Sequence, residues 1–265
     1  MKNGKRMGLL FSTTALFLTC LLMVFNLFAW YAVNKQANVT AGTGVTAANE
    51  SIRILDEVKA VKYSLNGDIT TNTYNRNSSG RLVLAKSVIY TASTDTTETI
   101  TEFAEVEYEV EYFFIREMLP GEHVDITIGY TIDESKDGSN YTIYLKNIVG
   151  DAFIIDEKTH YVTGAFRYKN ISLKDSNNAD ATGFTPDSDY IWFNEYSISQ
   201  NDSETLDKTI LHHTWDSDYG TLYYTFSIYE DFTQYYRLIA QSENSYGNLL
   251  SRKNFNIGEI FVILG

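Results

Sequence analysis

Residues His123 to Asp133 read HVDITIGYTID, and their alternation sets the fold class. Val124, Ile126, Ile128, Tyr130 and Ile132 fall on one side of an extended chain, while His123, Asp125, Thr127 and Thr131 fall on the other. Successive side chains of a strand point to opposite faces, so a period of two describes a strand with one buried face. Upstream, Glu105 to Tyr112 reads EVEYEVEY and repeats the pattern, with Val106, Tyr108, Val110 and Tyr112 opposing Glu105, Glu107, Glu109 and Glu111. Between the two segments stands Leu119-Pro120-Gly121-Glu122. Proline fixes φ at the second position of a turn and glycine accepts the positive φ of the third. The economical reading is a hairpin.

The same signals extend along the chain. Arg81 to Thr91, Tyr141 to Ile148, Tyr161 to Leu173, Tyr190 to Ile198, Thr221 to Tyr229 and Asn254 to Leu264 are rich in Val, Ile, Tyr, Phe and Thr and read as strands. Helical signals are fewer. Ser203 to Trp215 opens on a capping pattern, and Phe232 to Ser242 carries Phe232, Tyr235, Tyr236, Leu238 and Ile239 at helical spacing. Ser51 to Tyr63 fits either period. Asp133 to Asn140 and Lys174 to Asp189 are polar loops. Many short antiparallel strands with one or two short helical insertions define an all-β fold, an antiparallel β-sandwich.

The N-terminus has a different character. Gly8 to Val33 carries no charge over 26 positions, with Lys2, Lys5 and Arg6 just before it. A bilayer core needs about 20 apolar residues in a helix, and basic residues resist translocation. The segment therefore reads as a signal or transmembrane helix that keeps its N-terminus cytoplasmic and sends the rest outside. Trp30 and Tyr31 suit the interface of a retained anchor, while Ala29 offers a small residue for signal cleavage; both readings stand. Asn34 to Asn49 is small and polar and reads as a linker or loose strand, which leaves residues 50–265 as the exported domain.

Composition limits the partners of that domain. It has no cysteine, the chain's single one, Cys20, lying inside the apolar segment, so its stability must come from a core and from hydrogen-bonded sheet. Beyond the three leading basic residues the chain holds 18 Lys and Arg against 34 Asp and Glu, a net charge of −16. Such a surface repels nucleic acid.

Two motifs carry a resemblance. Phe28-Ala29-Trp30-Tyr31-Ala32-Val33-Asn34-Lys35 looks like the ending of exported Firmicute proteins of the TasA and camelysin kind, whose signals are handled by SipW-type peptidases. Met118-Leu119-Pro120-Gly121-Glu122, running into the strand from His123, is similar to the turn and following strand of those proteins. The resemblance implies a jelly-roll-like sandwich at the cell surface of a Gram-positive type of cell. In some members it also implies matrix fibres built by donating an N-terminal strand, here from around Tyr31 to Val45. The chain departs from that pattern in its longer apolar segment and in the Thr-, Ala- and Gly-rich stretch that follows.

Candidate sites are sparse. The row Glu105, Glu107, Glu109 and Glu111 reads first as a solvated face opposite basic residues such as Arg167 and Lys169, and second as a cation or basic-partner surface. Asp175 and Asp180, with Asp216 and Asp218, supply the oxygen ligands that Ca²⁺ prefers, yet lack the twelve-residue loop pattern and read first as solvated turns. His212-His213 is the only histidine pair, and no His-Glu-x-x-His or Gly-x-Ser-x-Gly occurs. Camelysin has been classed with metallopeptidases, but the zinc-holding residues are not recognisable here, so the chain reads as a non-enzyme without cofactor. Tyr223 and Tyr229 lie on the face opposite Leu222, Tyr224, Phe226 and Ile228, which makes them candidate contact residues. The leading expectation is an exported structural protein of the cell surface, such as a self-assembling biofilm-matrix fibre or surface-layer subunit. The alternative is a membrane-anchored, adhesin-like module that binds a glycan, peptide or cation.

Overall fold

His123–Ile132 is a strand whose inward residues Val124, Ile126, Ile128, Tyr130 and Ile132 are all buried, as their alternation requires. The computed structural model describes residues 45–47, 51–77, 82–100, 113, 115, 118–194, 205–236 and 255–265. Among them the strands are β1 (Val45–Ala47), β2 (Ile52–Tyr63), β3 (Ile69–Arg76), β4 (Leu82–Thr91), β5 (Thr96–Ile100), β6 (His123–Ile132), β7 (Asn140–Gly150) and β8 (Ala152–Ile155). They continue as β9 (Lys158–Tyr161), β10 (Phe166–Asp175), β11 (Ile191–Trp192), β12 (Thr205–Thr214), β13 (Leu222–Glu230), β14 (Phe255–Asn256) and β15 (Glu259–Leu264). The protein is mostly antiparallel β-sheet. All described residues belong to one unit, Gly42–Gly265.

One sheet runs β11-β10-β13-β6-β2-β3-β4-β5, a second runs β1-β15-β7-β12 with β14 also on β7, and β8 and β9 pair with each other. Both edges of β6 are taken, by β13 on one side and β2 on the other. A hairpin between Glu105–Tyr112 and β6 is therefore excluded, because no free edge remains on β6 to receive it. The acidic row Glu105, Glu107, Glu109 and Glu111 itself lies outside the described residues. So do Ala29 and the apolar segment; among the described residues no helix is long and apolar enough to cross a membrane. The turn expected at Leu119-Pro120-Gly121 is present. Glu122 donates its backbone N–H to the Leu119 carbonyl at 2.9 Å, and Gly121 takes the positive φ of +98° that the third turn position needs.

Several elements differ from their sequence reading, and bulges explain most of them. Thr205–Thr214 is strand β12, not a helix. Its pairing with β7 shifts register between Leu206 and Lys208 and again between Thr209 and Leu211. The first shift puts its extra residue on β7, whereas the second inserts Ile210 into β12 and breaks the period of two there, so Leu206, Ile210 and Leu211 imitate a helical stripe. The ambiguous Ser51 to Tyr63 segment is β2. Its pairing steps from Ile54–Tyr130 to Val58–Ile128, which places Leu55, Asp56 and Glu57 opposite the single residue Gly129.

Two expected strands are interrupted for packing reasons. The Tyr161 to Leu173 run breaks at a 3-10 turn, Val162–Gly164, where the buried Tyr235 hydroxyl accepts the Gly164 N–H at 2.8 Å and donates to the Tyr161 carbonyl at 2.5 Å. The C-terminal run breaks between β14 and β15 at Gly258. Its φ is +69°, and a Cβ there would stand 1.9 Å from the Lys146 carbonyl oxygen. Of the strand expected from Tyr190 to Ile198, only Ile191–Trp192 is strand among the described residues. Residues 233–236 are helical, and the rest of the helix expected to Ser242 lies outside the described residues.

One core draws on both larger sheets. Val124, Ile126 and Ile128 of β6 and Tyr224, Phe226 and Ile228 of β13 join Tyr141, Ile143 and Leu145 of β7 and Ile260 and Val262 of β15, all fully buried. The sheets are linked where the Tyr130 hydroxyl donates to the Tyr141 hydroxyl at 2.7 Å, with the rings edge to face at 5.5 Å. Burial raises both phenols above their ordinary pKa, so both stay neutral. Removing one hydroxyl strands the other in a dry core, which costs about 1–3 kcal/mol. Tyr130→Phe should therefore lower stability by that amount in a denaturant melt. Adding Tyr141→Phe should cost less than two independent losses, because no orphaned hydroxyl remains.

Candidate functional site

The outward face of the eight-stranded sheet follows from register, because residues paired across strands share a face. One stripe runs Tyr63, His123, Tyr229, Arg167 and Trp192 across β2, β6, β13, β10 and β11. The next holds Val61, Asp125, Ser227 and Lys169. A third runs Lys86, Thr73, Lys59, Thr127, Thr225 and Ser172. A fourth holds Gly129, Tyr223 and Lys174. Tyr223 and Tyr229 stand on the outward face, opposite the buried Leu222, Tyr224, Phe226 and Ile228.

The aromatic residues of this face stand in groups. Tyr63 stacks on His123 with ring centroids 4.4 Å apart, and Tyr190, from the loop before β11, packs on Tyr229 at 5.1 Å. The Arg167 guanidinium sits over the Trp192 ring at 5.0 Å and the Lys169 ammonium over Tyr190 at 5.9 Å. Those cations hold the rings in place by attraction to their negative faces. Arg167 is itself fixed by Asp231 at 3.2 Å and by the Tyr190 carbonyl at 2.6 Å. Tyr190 shares a 2.9 Å hydrogen bond with Ser227, beside Asp125. Burial raises the Asp125 carboxyl above the ordinary range, while a Ser227 hydrogen bond and nearby His123 pull it the other way.

At the other end of the face the β2 bulge and Gly129 make a groove of about 500 Å³. Gly129 is its floor. The Leu55 and Tyr223 side chains close over the place of the missing side chain, since a Cβ there would lie 2.5 Å from Leu55 Cδ1. Thr127 and Thr225 share a 2.9 Å hydroxyl hydrogen bond on the lining, and Lys59, Lys174, Glu57 and Asp175 bring both signs of charge. Tyr223 is 41% exposed. The arrangement offers a large ring, hydroxyls and ammonium groups to a polar ligand, and no nucleophile activated by a base.

Asp175 and Asp216 are occupied by nearby backbone, and Asp180 by a lysine. Asp175 Oδ1 accepts the Asn177 and Ala179 N–H groups at 2.8 Å each, and Asp180 pairs with Lys174 at 3.3 Å. Asp216 Oδ1 accepts the Asp218 N–H at 3.0 Å. The Asp175 and Asp216 bonds form turns, and no group of three or more metal-ligating side chains occurs among the described residues. His212 and His213 are consecutive on a strand and so point to opposite faces. His212 bonds Thr142 at 3.0 Å, and His213 meets the edge of Tyr141. Tyr63, Trp192, Lys59 and Lys86 escaped sequence reasoning because only the strand order brings them together.

A buried carboxylate pair, also not evident in the sequence, lies under the Leu119-Pro120-Gly121 turn. Glu122 is 4% exposed; its carboxylate accepts the Leu119 N–H at 2.9 Å and the Leu65 N–H at 3.4 Å, and meets Lys62 at 3.1 Å. Glu230 is 8% exposed and is tied to the same turn through its backbone carbonyl, which accepts the Gly121 N–H at 3.2 Å. Its Oε2 has no hydrogen-bond partner. Burial first and the Glu122 charge second push Glu230 up to about 7 from 4.5, with Lys62 opposing.

The fold is thus that of an all-β protein of mostly antiparallel sheet, with a patterned outward face. No family model, no curated protein and no solved structure matches the chain.

Glu230 makes stability depend on pH. Between about 4.5 and 7 the native state keeps a proton that the unfolded chain releases, so stability falls as pH rises through that window and levels above it. Glu230→Gln removes the charge and keeps the shape. It should raise stability at pH 8 by about 1–3 kcal/mol, flatten the pH dependence across the window and change little at pH 4. Melts at pH 4, 6 and 8 read this directly, and an unchanged pH profile would contradict the assignment.

Proposed function

We propose that this chain is an exported surface protein that works as a binding module. Residues 1–33 serve as signal peptide or anchor with the N-terminus cytoplasmic, and residues 50–265 form a jelly-roll-like β-sandwich outside the membrane. The observation that carries the binding role is the outward face of the eight-stranded sheet. Its aromatic rings are grouped and braced by cations, and they share the face with a hydroxyl-lined groove. A sheet face without a ligand ordinarily presents scattered polar side chains. Export is supported by the uncharged Gly8 to Val33 segment behind Lys2, Lys5 and Arg6.

The test is retention of the full chain by cell walls isolated from its own cells and washed free of membrane. Replacing Tyr223, Tyr229 and Trp192 together by Ala should reduce retention about tenfold or more, in line with loss of several stacking contacts. The thermal midpoint, measured alongside, checks that the variant is folded. A folded triple variant retained like the wild type would sink the reading.

A second reading, the fibre or surface-layer subunit of the TasA/camelysin kind, is favoured by one specific feature. Val45–Ala47 adds to the edge of β15 as a three-residue parallel strand, the only parallel pairing among the named strands. A strand so short contributes few hydrogen bonds and is readily exchanged. This reading expects concentration-dependent assembly in light scattering that disappears when residues 30–48 are deleted. Assembly that survives the deletion would rule out strand donation.

A further inference from the structure

The outward face is unlike the rest of the protein in charge. The chain carries a net charge of −13, yet Lys59, Lys86, Arg167, Lys169 and Lys174 all lie on this one face. Arg167 and Lys174 are neutralised by Asp231 and Asp180. Lys59, Lys86 and Lys169 are not: none has a carboxylate within ion-pair range among the described residues. Asp125 is the carboxylate that shares the central stripes with them, and Glu57 and Asp175 line the groove.

Spacing adds a second argument. Neighbouring strands lie about 4.8 Å apart, so Lys59 on β2 and Lys86 on β4, two strands away, stand roughly 10 Å apart along one stripe. The aromatic stripe from Tyr63 to Trp192 crosses five strands, about 19 Å, and runs across the strands in the same direction as the lysine stripe. A long ligand lying across the strands would meet Tyr229 and Trp192 along one line and Lys59 and Lys86 along another, with Lys169 on the stripe between them and Tyr223 on the stripe beyond Lys59.

We infer that this face binds an acidic polysaccharide, whose sugar rings pack on Tyr223, Tyr229 and Trp192 while its carboxylates pair with Lys59, Lys86 and Lys169. The inference rests on the binding-module reading and gives it a ligand class. Sugar rings suit exposed aromatics, because each ring has an apolar side that stacks on an aromatic face and a rim of hydroxyls that the Thr127, Thr225 and Ser172 row can hydrogen-bond. Charge complementarity selects the acidic kind, since the Lys59 and Lys86 ammonium groups, and that of Lys169, which is held by the Ser188 carbonyl at 3.1 Å but by no carboxylate, attract anions on a surface that otherwise repels them. The same overall repulsion works against a denser polyanion such as a nucleic acid.

The experiment measures retardation of the full chain, in detergent, by gels containing alginate, dextran or polyphosphate. Alginate supplies rings with carboxylates, dextran rings alone and polyphosphate charge alone. Alginate should retard the wild type most, and the effect should weaken as salt is raised from 50 to 300 mM, since screening lengths shorten over about this range. The variant Lys59→Gln/Lys86→Gln/Lys169→Gln should lose about tenfold in alginate affinity. The corresponding triple Arg variant should keep it, and Lys158→Gln, at an exposed position of β9, should change nothing. The Arg variant separates loss of charge from loss of fold. Equal retardation by dextran and alginate, unaffected by the Gln variant, would overturn the acidic ligand and leave the binding module standing. Polyphosphate equal to alginate would overturn the sugar component. No retardation by any polymer, in a folded protein that native walls also fail to retain, would remove both.

Discussion

Both edges of β6 are hydrogen-bonded, and both of its faces are committed. Val124, Ile126, Ile128 and Tyr130 are completely buried on one side, and His123, Asp125, Thr127 and Gly129 form the middle of the outward face on the other. A one-residue slip in register would exchange these sets, placing Asp125 in the core and Ile126 in water. Everything else follows this alignment. The chain has no disulfide available to its folded part, so the aligned apolar row and the Tyr130–Tyr141 link to the second sheet hold the structure together.

The same alignment composes the outward face. Tyr63, His123, Tyr229, Arg167 and Trp192 come from five strands scattered between residues 63 and 229, and meet only because β11, β10, β13, β6 and β2 lie in that order. The β2 bulge then does something regular pairing does not. By setting three residues against Gly129 it bends the strand and opens the groove beneath Leu55 and Tyr223. An irregularity in the ladder thus creates a concavity in an otherwise flat sheet.

The turn into β6 shows a different balance. Glu122 is satisfied by two backbone N–H groups and Lys62, whereas Glu230 shares the enclosure without a partner for one oxygen. Burial and the Glu122 charge shift a carboxyl placed there toward its protonated form, which is the opposite of the usual surface carboxylate. The arrangement ties the β2–β3 turn, the start of β6 and the end of β13 to one small buried cluster.

The sequence by itself determined the all-β class, strands read at residues 81–91, 123–133, 141–148 and 221–229 that agree with β4, β6, β7 and β13 to within two residues at each end, the turn at Leu119-Pro120-Gly121 and the outward placement of Tyr223 and Tyr229. Each is a local matter of period or turn chemistry. Where bulges broke the period, as in β12 and β2, the residue pattern misled or fell silent. The hairpin expected between Glu105–Tyr112 and β6 failed because adjacency in sequence does not decide which strand occupies an edge. Only the tertiary structure decided that Lys59, Lys86 and Lys169 share a face with an aromatic stripe, and that Glu122 and Glu230 share one enclosure. Strand order and burial depend on contacts between residues far apart in the chain, and no local window of sequence contains them.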